Sequence, residues 1–256
     1  MNNQVEPTNN CAIDDRQQAL ERWLSKINGA PLQGSPASSD ASFRRYFRYL
    51  INGQSRVAMD APPPEDCRPF IDIAQRLAKA GLHVPELIAS DVERGFLLLG
   101  DLGRQTYLDV IAHHNADTLF ADAIDCLLIM QQHTETANLP CYDEALLRRE
   151  LQLFPEWYLQ RHLGLEIDQP LQRELDRLFD FLIERILNQG QVFVHRDFMP
   201  RNLMVSTPNP GVLDFQDAVL GPVSYDPICL FKDAFISWPE DKVLQWLADY
   251  WRGACV

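Results

Sequence analysis

The sequence of 256 residues predicts an α+β chain in two lobes: a small antiparallel sheet lobe, residues 1–100, and a mostly helical lobe, residues 101–256. Three observations predict this. Asn52-Gly53 separates two β-like runs, and Asn-Gly is the strongest short-range hairpin signal because both turn residues need positive φ. From residue 104 onward the apolar residues fall at helical spacing. Third, the stretch "QVFVHRDFMPRNLMVS" (191–206) is an apolar run broken by His195, Arg196, Asp197, Arg201 and Asn202, a set that packing does not require.

The elements follow in order. Residues 14–28 carry Leu20, Trp23, Leu24 and Ile27 on one helical face, ending near Gly29. A Ser-, Pro-, Gly- and Asp-rich loop runs to about Asp40. In the hairpin that follows, a two-residue turn sets Ile51 opposite Gln54, Tyr46 opposite Met59 and Arg45 opposite Asp60. "APPP" stops the strand, and 65–80 reads as a helix with Phe70, Ile73, Ala74 and Leu77 on one face, closed by Gly81. "HVPELIASD" and "GFLLLGDLG" read as strands, so the first lobe is a sheet of about four strands with one crossing helix. Beyond it, 116–133, 143–162 and 170–188 read as helices, Leu203–Val205 and Val212–Leu213 as a short hairpin, and the stretches near 226–236 and 239–252 as the last helices.

Composition bounds the function. With 46% apolar and 23% charged residues the chain is globular. No stretch approaches the ~20 apolar residues of a membrane span, and "MNNQVEPTNN" lacks a secretory signal, so a cytoplasmic protein without a membrane partner is expected. The six cysteines show neither zinc spacing nor a disulfide framework. A net charge of −13 argues against a nucleic-acid partner. A monomer acting on a small molecule is expected.

The hairpin carries the chemistry. Asn202 enters it and Asp214 leaves it, so both side chains emerge at one end, with Asp197 in the loop there. Two carboxylates and an amide oxygen suit Mg²⁺, which takes one or two carboxylates plus phosphate oxygens and water. The H-R-D-x-x-x-x-N spacing of 195–202 resembles the catalytic loop of the protein-kinase fold, and that resemblance implies Asn202 and Asp214 as the metal ligands and Asp197 as the base that orients a hydroxyl and takes its proton. Arg201 either contacts the transferring phosphoryl group or pairs with a carboxylate. His195 reads as an anchor of the loop, and Asp217 as a surface carboxylate or an aid to the metal.

The pattern H-R-D-x-x-x-x-N (195–202), followed by Asp214-Phe215, resembles the catalytic and metal loops of the protein-kinase fold. "DFQDAVLGPVSYDP" in place of Asp-Phe-Gly, with no activation segment after it, resembles the aminoglycoside phosphotransferase-like branch, in which Asp226 would cap the next helix. "SDASFRRYFR", "MDAPPPEDCRPF", "GFLLLGDLG" and "HRDFMPRNLM" together are similar to the bacterial cell-wall sugar kinases acting on N-acetylmuramate and N-acetylglucosamine. That resemblance spans roughly residues 20 to 250. It implies transfer of phosphate from ATP, with Mg²⁺, to the anomeric hydroxyl of an amino sugar in peptidoglycan recycling. It also implies Ser42, Phe43, Arg44 and Arg45 near the phosphates and Leu99 to Asp101 near the adenine.

Two features depart from the kinase pattern. Met59 stands where kinases carry a strand lysine, and no lysine lies between Lys26 and Lys79; Arg44 and Arg45 are the nearest substitutes, with Arg45 alternatively tied to Asp60. The chain also stops at "DYWRGACV", whereas the family it resembles runs on for several helices, which leaves part of the substrate wall expected outside it. An aminoglycoside kinase and a nucleotide-binding module without catalysis stay open as alternatives.

Overall fold

The computed structural model describes residues 15–39 and 43–254. The chain forms two compact units, one of residues through Arg68 with Glu86–Asp101, the other of Pro69–Pro85 with the chain from Leu102 on.

The first unit opens with α1 (Asp15–Asn28), whose Leu20, Trp23 and Leu24 are buried as the spacing predicts. Its sheet has five strands, β1 (Ser35–Ser39), β2 (Arg45–Ile51), β3 (Gln54–Asp60), β4 (Leu87–Asp91) and β5 (Phe96–Gly100), in the order β1-β2-β3-β5-β4. The pairs Ile51–Gln54, Tyr46–Met59 and Arg45–Asp60 are those the turn predicts. Asn52 and Gly53 both take positive φ, 51° and 76°, as that turn needs. Strand β1 is one more than expected. Its sequence, SPASS, has no apolar alternation, and it joins as an edge strand with a register shift between Pro36 and Ser38. The core sets Trp23 of α1 against Phe96 of β5, ring centroids 5.9 Å apart, with Phe47, Tyr49 and Ala58 around them.

Asp60 ends β3 fully buried and accepts from Arg16 Nε at 2.9 Å and Arg45 Nε at 3.1 Å. The helix α1 is therefore tied to the sheet through a carboxylate that water does not reach. We expect Asp60→Asn to lower stability by roughly 2–3 kcal/mol, because one partner of a buried pair is removed and two guanidinium groups lose their counter-charge; urea unfolding measures it.

The second unit begins with α2 (Arg68–Lys79), whose buried face is Phe70, Ile73, Ala74 and Leu77, with Phe70 4.8 Å from Phe215. After α3 (Tyr107–Val110) comes α4 (Ala116–His133). The single helix expected over 143–162 is α5 (Glu144–Leu153) followed by a π-helical stretch over Phe154–His162, where Pro155 cannot supply an amide to an α-helical ladder. Helix α6 (Gln169–Leu187) follows, capped by the Asp168 side chain on Leu171 N at 2.9 Å.

Strand β6 (Gln191–Val194) is the apolar run before the loop of residues 195–202. The expected hairpin is present as β7 (Leu203–Met204) and β8 (Gly211–Val212), with Leu203 opposite Val212. The partner of β6 is β9 (Val219–Pro222), whose Gly221 and Pro222 hide it from a strand pattern. Helix α7 is shorter than expected, Tyr225–Phe231, and a loop over 232–239 leads to α8 (Glu240–Ala254). Phe120 of α4, Phe231 of α7 and Trp246 of α8 pack together, the Phe120–Trp246 centroids 4.5 Å apart.

Candidate active site

The site grows from the end of β6. Phe193 and Val194 are fully buried, and the chain leaves the strand through His195, also fully buried. Arg196 then takes φ 77°, a left-handed conformation that costs a non-glycine residue about 1–3 kcal/mol and persists only when its surroundings over-determine it.

Asp226 supplies that determination. It is fully buried, and its two oxygens accept from His195 N at 2.7 Å and from Arg196 N at 3.0 Å. Burial pushes the Asp226 carboxyl up to about 7, and the two N–H bonds pull it the other way. Asp226 was expected to cap α7; it lies in that helix's first turn, but its oxygens hold the loop after β6 instead. The reason is tertiary: the β6–β9 pairing brings the start of α7 beneath the loop.

His195 anchors the loop as expected. Its Nδ1 accepts from Asp197 N at 3.2 Å, so its Nε2 carries the proton donated to Leu213 O at 3.0 Å. Burial lowers its pKa to about 4, which keeps the ring neutral. The side chain of Arg196 bonds Glu150 of α5 at 2.8 Å, and Tyr142 donates to the same carboxylate.

At the hairpin mouth the side chains of Asn202 and Asp214 meet, and Asn202 also holds the backbone of Asp197. The amide nitrogen of Asn202 donates to Asp197 O at 2.9 Å and lies 3.4 Å from Asp214 Oδ2. Leu213 N donates to Asn202 O at 3.0 Å, closing the end of the hairpin. Asp214 takes φ 63°, a second left-handed non-glycine residue at the same mouth. Burial raises the Asp197 pKa, and the charge of Asp214 raises it further, so the two carboxylates share one field. Asp217 is exposed and adds a smaller push on Asp197.

The donor set fits a hard divalent cation. Among the described residues no three His, Cys, Asp or Glu side chains gather as a ready metal cage. A pair of carboxylates with one amide is instead the sparse oxygen set of Mg²⁺, which fills its other positions from phosphate and water. A residue that the sequence did not single out joins them. Gln216 is 9% exposed and donates from Nε2 to Asp214 Oδ1 at 2.8 Å, while its Oε1 is buried without a partner among the described residues. Its one signal in the sequence is its place in "DFQD", two residues past Asp214.

Arg201 is exposed and forms no ion pair among the described residues; its guanidinium lies over the ring of Phe235, 5.1 Å from the centroid. The nucleotide candidates lie in the first unit. Ser42 falls outside the described residues. Phe43 is 69% exposed. Arg44 pairs with Glu65 at 2.9 Å, and Arg45 is tied to Asp60, the alternative its cross-strand position offered. Leu99 is buried, and Asp101 accepts from Arg48 Nε at 2.6 Å and Nη2 at 3.0 Å.

Comparison with known proteins gives the family. The model of the phosphotransferase enzyme family matches residues 33–255, and the chain belongs to that family. Two relatives are named N-acetylmuramate/N-acetylglucosamine kinase. The one from Pseudomonas putida is 63% identical over 253 residues, 94% of this chain and 75% of that protein. The one from Pseudomonas aeruginosa is 60% identical over the same shares. Among solved structures, the gentamicin complex of the aminoglycoside phosphotransferase APH(2'')-IIa has a TM-score of 0.64 at 15% identity, covering 96% of this chain and 85% of that one. It shows the fold alone.

Two outcomes follow from the bracing of the loop. Asp226→Asn offers one acceptor where two amides need one each, and should lower kcat at least tenfold and stability by about 1–3 kcal/mol, read by steady-state kinetics and thermal melting. His195, with its folded pKa near 4 against ~6.5 unfolded, binds fewer protons in the folded chain between those values. Its contribution is therefore present above pH ~6.5 and lost as pH falls toward 4. Asp226, raised to about 7, works in the opposite direction over that window, so the difference between wild type and His195→Asn isolates the histidine. The wild-type advantage in unfolding free energy should shrink from pH 7 to pH 4.5.

Proposed function

We propose that the chain is a kinase of cell-wall amino sugars, transferring the terminal phosphoryl group of ATP to the anomeric hydroxyl of N-acetylmuramate or N-acetylglucosamine. The observation that carries the reading is the meeting of Asp197, Asn202 and Asp214 at one hairpin mouth, on a loop braced by Asp226. The names of relatives at 60% and 63% identity supply the acceptor.

In this reading Asp197 accepts the proton of the sugar hydroxyl as the oxygen attacks. Its raised pKa suits it to take a proton, and its place beside Asn202 holds it still. Asn202 and Asp214 would hold Mg²⁺, with Gln216 fixing one Asp214 oxygen. The ion, when bound, neutralises charge between the last two phosphates. Arg201 stands four residues after the base and is free of ion pairs among the described residues, so its charge is available to the acceptor and phosphoryl side of the loop.

ATP would contact the sheet unit. Its phosphates would meet the loop of Ser42, Phe43, Arg44 and Arg45, and its base the backbone near Leu99 to Asp101. Arg44 takes the part of the missing lysine: its pair with Glu65 supplies the cation–carboxylate couple that kinases build from lysine and glutamate. Arg45 is the weaker candidate because Asp60 holds it. The two-lobed division near residue 101, a monomeric state, a cytoplasmic place and a part in peptidoglycan recycling belong to the same proposal. No helix among the described residues is long and apolar enough to cross a membrane.

The deciding experiment measures ADP release with N-acetylmuramate, N-acetylglucosamine, kanamycin or no acceptor. Turnover should require an amino sugar and fall by about 10²–10⁴ in Asp197→Asn. Kanamycin-dependent turnover, or no turnover with any acceptor, would reject the reading. For the metal site, Asp214→Asn should weaken Mn²⁺ binding at least tenfold by electron paramagnetic resonance with ADP present, a readout that needs no catalysis; unchanged Mn²⁺ affinity would remove Asp214 from the metal site.

A further inference from the structure

The catalytic loop carries two arginines with different fates. Arg196 is committed, its guanidinium on Glu150 and its backbone on Asp226. Arg201 is not committed to any carboxylate among the described residues and is exposed. It lies instead over the face of Phe235, whose ring is 58% exposed. The contact sets an exposed aromatic face against the loop that carries Asp197 and Asn202.

The loop over 232–239, between α7 and α8, holds that ring in place. Asp233 Oδ1 accepts from Phe235 N at 3.1 Å, and its Oδ2 is buried without a partner among the described residues. Helix α7, which leads into this loop, reaches the catalytic loop. Cys229 of that helix donates weakly to Arg196 O at 3.4 Å. At the far end of the loop Trp238 packs against Phe120 and Trp246, with centroids 5.8 and 5.4 Å away, so the segment is pinned at both sides of Phe235.

We propose that Arg201 and Phe235 form the acceptor subsite, the ring stacking on the pyranose and the guanidinium recognising the carboxylate of N-acetylmuramate. This rests on the reading of the chain as an amino-sugar kinase. The chemistry separates the two sugars. N-acetylmuramate is N-acetylglucosamine with a lactyl ether that ends in a carboxylate. Both present the same apolar C–H face to an aromatic ring, but only one presents an anion, and a guanidinium pairs a carboxylate through two parallel hydrogen bonds. Phe235 would thus set affinity for both sugars, and Arg201 the preference between them.

The test uses the whole chain, with kcat/KM for each sugar and calorimetric sugar binding in the presence of ADP. Arg201→Gln should lower the ratio of kcat/KM for N-acetylmuramate over N-acetylglucosamine by about tenfold or more, the order of a lost charge-assisted pair, and Arg201→Lys should restore part of it. Phe235→Leu should weaken binding of both sugars by a similar factor, about five- to tenfold, with the KM for ATP unchanged. An equal fall in kcat for both sugars in Arg201→Gln, with the ratio intact, would overturn the proposal and put the guanidinium on the phosphoryl group. So would unaltered sugar binding in Phe235→Leu. Sugar binding by the wild type without turnover would reject the kinase reading while the variants still judge the subsite. Neither binding nor turnover would reject both.

Discussion

Two backbone amides at the end of β6 point into a carboxylate that water does not reach, and the loop of residues 195–202 takes its shape from that contact. The amides of His195 and Arg196 each donate to one oxygen of Asp226. Arg196 can then hold φ 77° without glycine, because the carboxylate, the Glu150 pair and the buried His195 ring over-determine it. The turn at Arg196 aims the next residue, Asp197, toward the hairpin mouth. There His195 Nδ1 takes its amide and Asn202 takes its carbonyl. Without the carboxylate beneath, the same residues would be a polar loop with no fixed direction.

The site works by concentrating negative charge and then restraining it. The charge of Asp214, added to burial, makes Asp197 harder to ionise. Asn202 and Gln216 supply amide donors to Asp214. The chain carries 23 basic residues against 36 acidic ones, yet its cations around the loop are spent sparingly. Arg196 neutralises Glu150, and Arg201 lies on Phe235. In the sheet unit the same economy holds: Arg44, Arg45 and Arg48 each face a carboxylate, Glu65, Asp60 and Asp101. Arginine suits these positions because its planar fork bonds a carboxylate through two nitrogens, as Arg48 does on Asp101.

Much of this was legible in the sequence because it is local. The Asn52-Gly53 turn sets the register of β2 and β3 through positive φ at both residues, and that register puts Arg45 across from Asp60. The spacing of Phe70, Ile73, Ala74 and Leu77 sets the buried face of α2. The convergence of Asn202 and Asp214 follows from hairpin geometry alone, since the two ends of a two-stranded turn must meet. What the tertiary structure decided are contacts between residues far apart in the chain. Asp226 bonds the loop 30 residues before it rather than its own helix. Glu150 reaches Arg196 across 46 residues. Strand β9 exists only because β6 is there to pair with it, and the ring under Arg201 comes from a loop that reads as helix. Periodicity and turn chemistry act over a few residues, whereas the placement of a buried carboxylate depends on which elements pack around it, and that packing is not written in any one stretch of the chain.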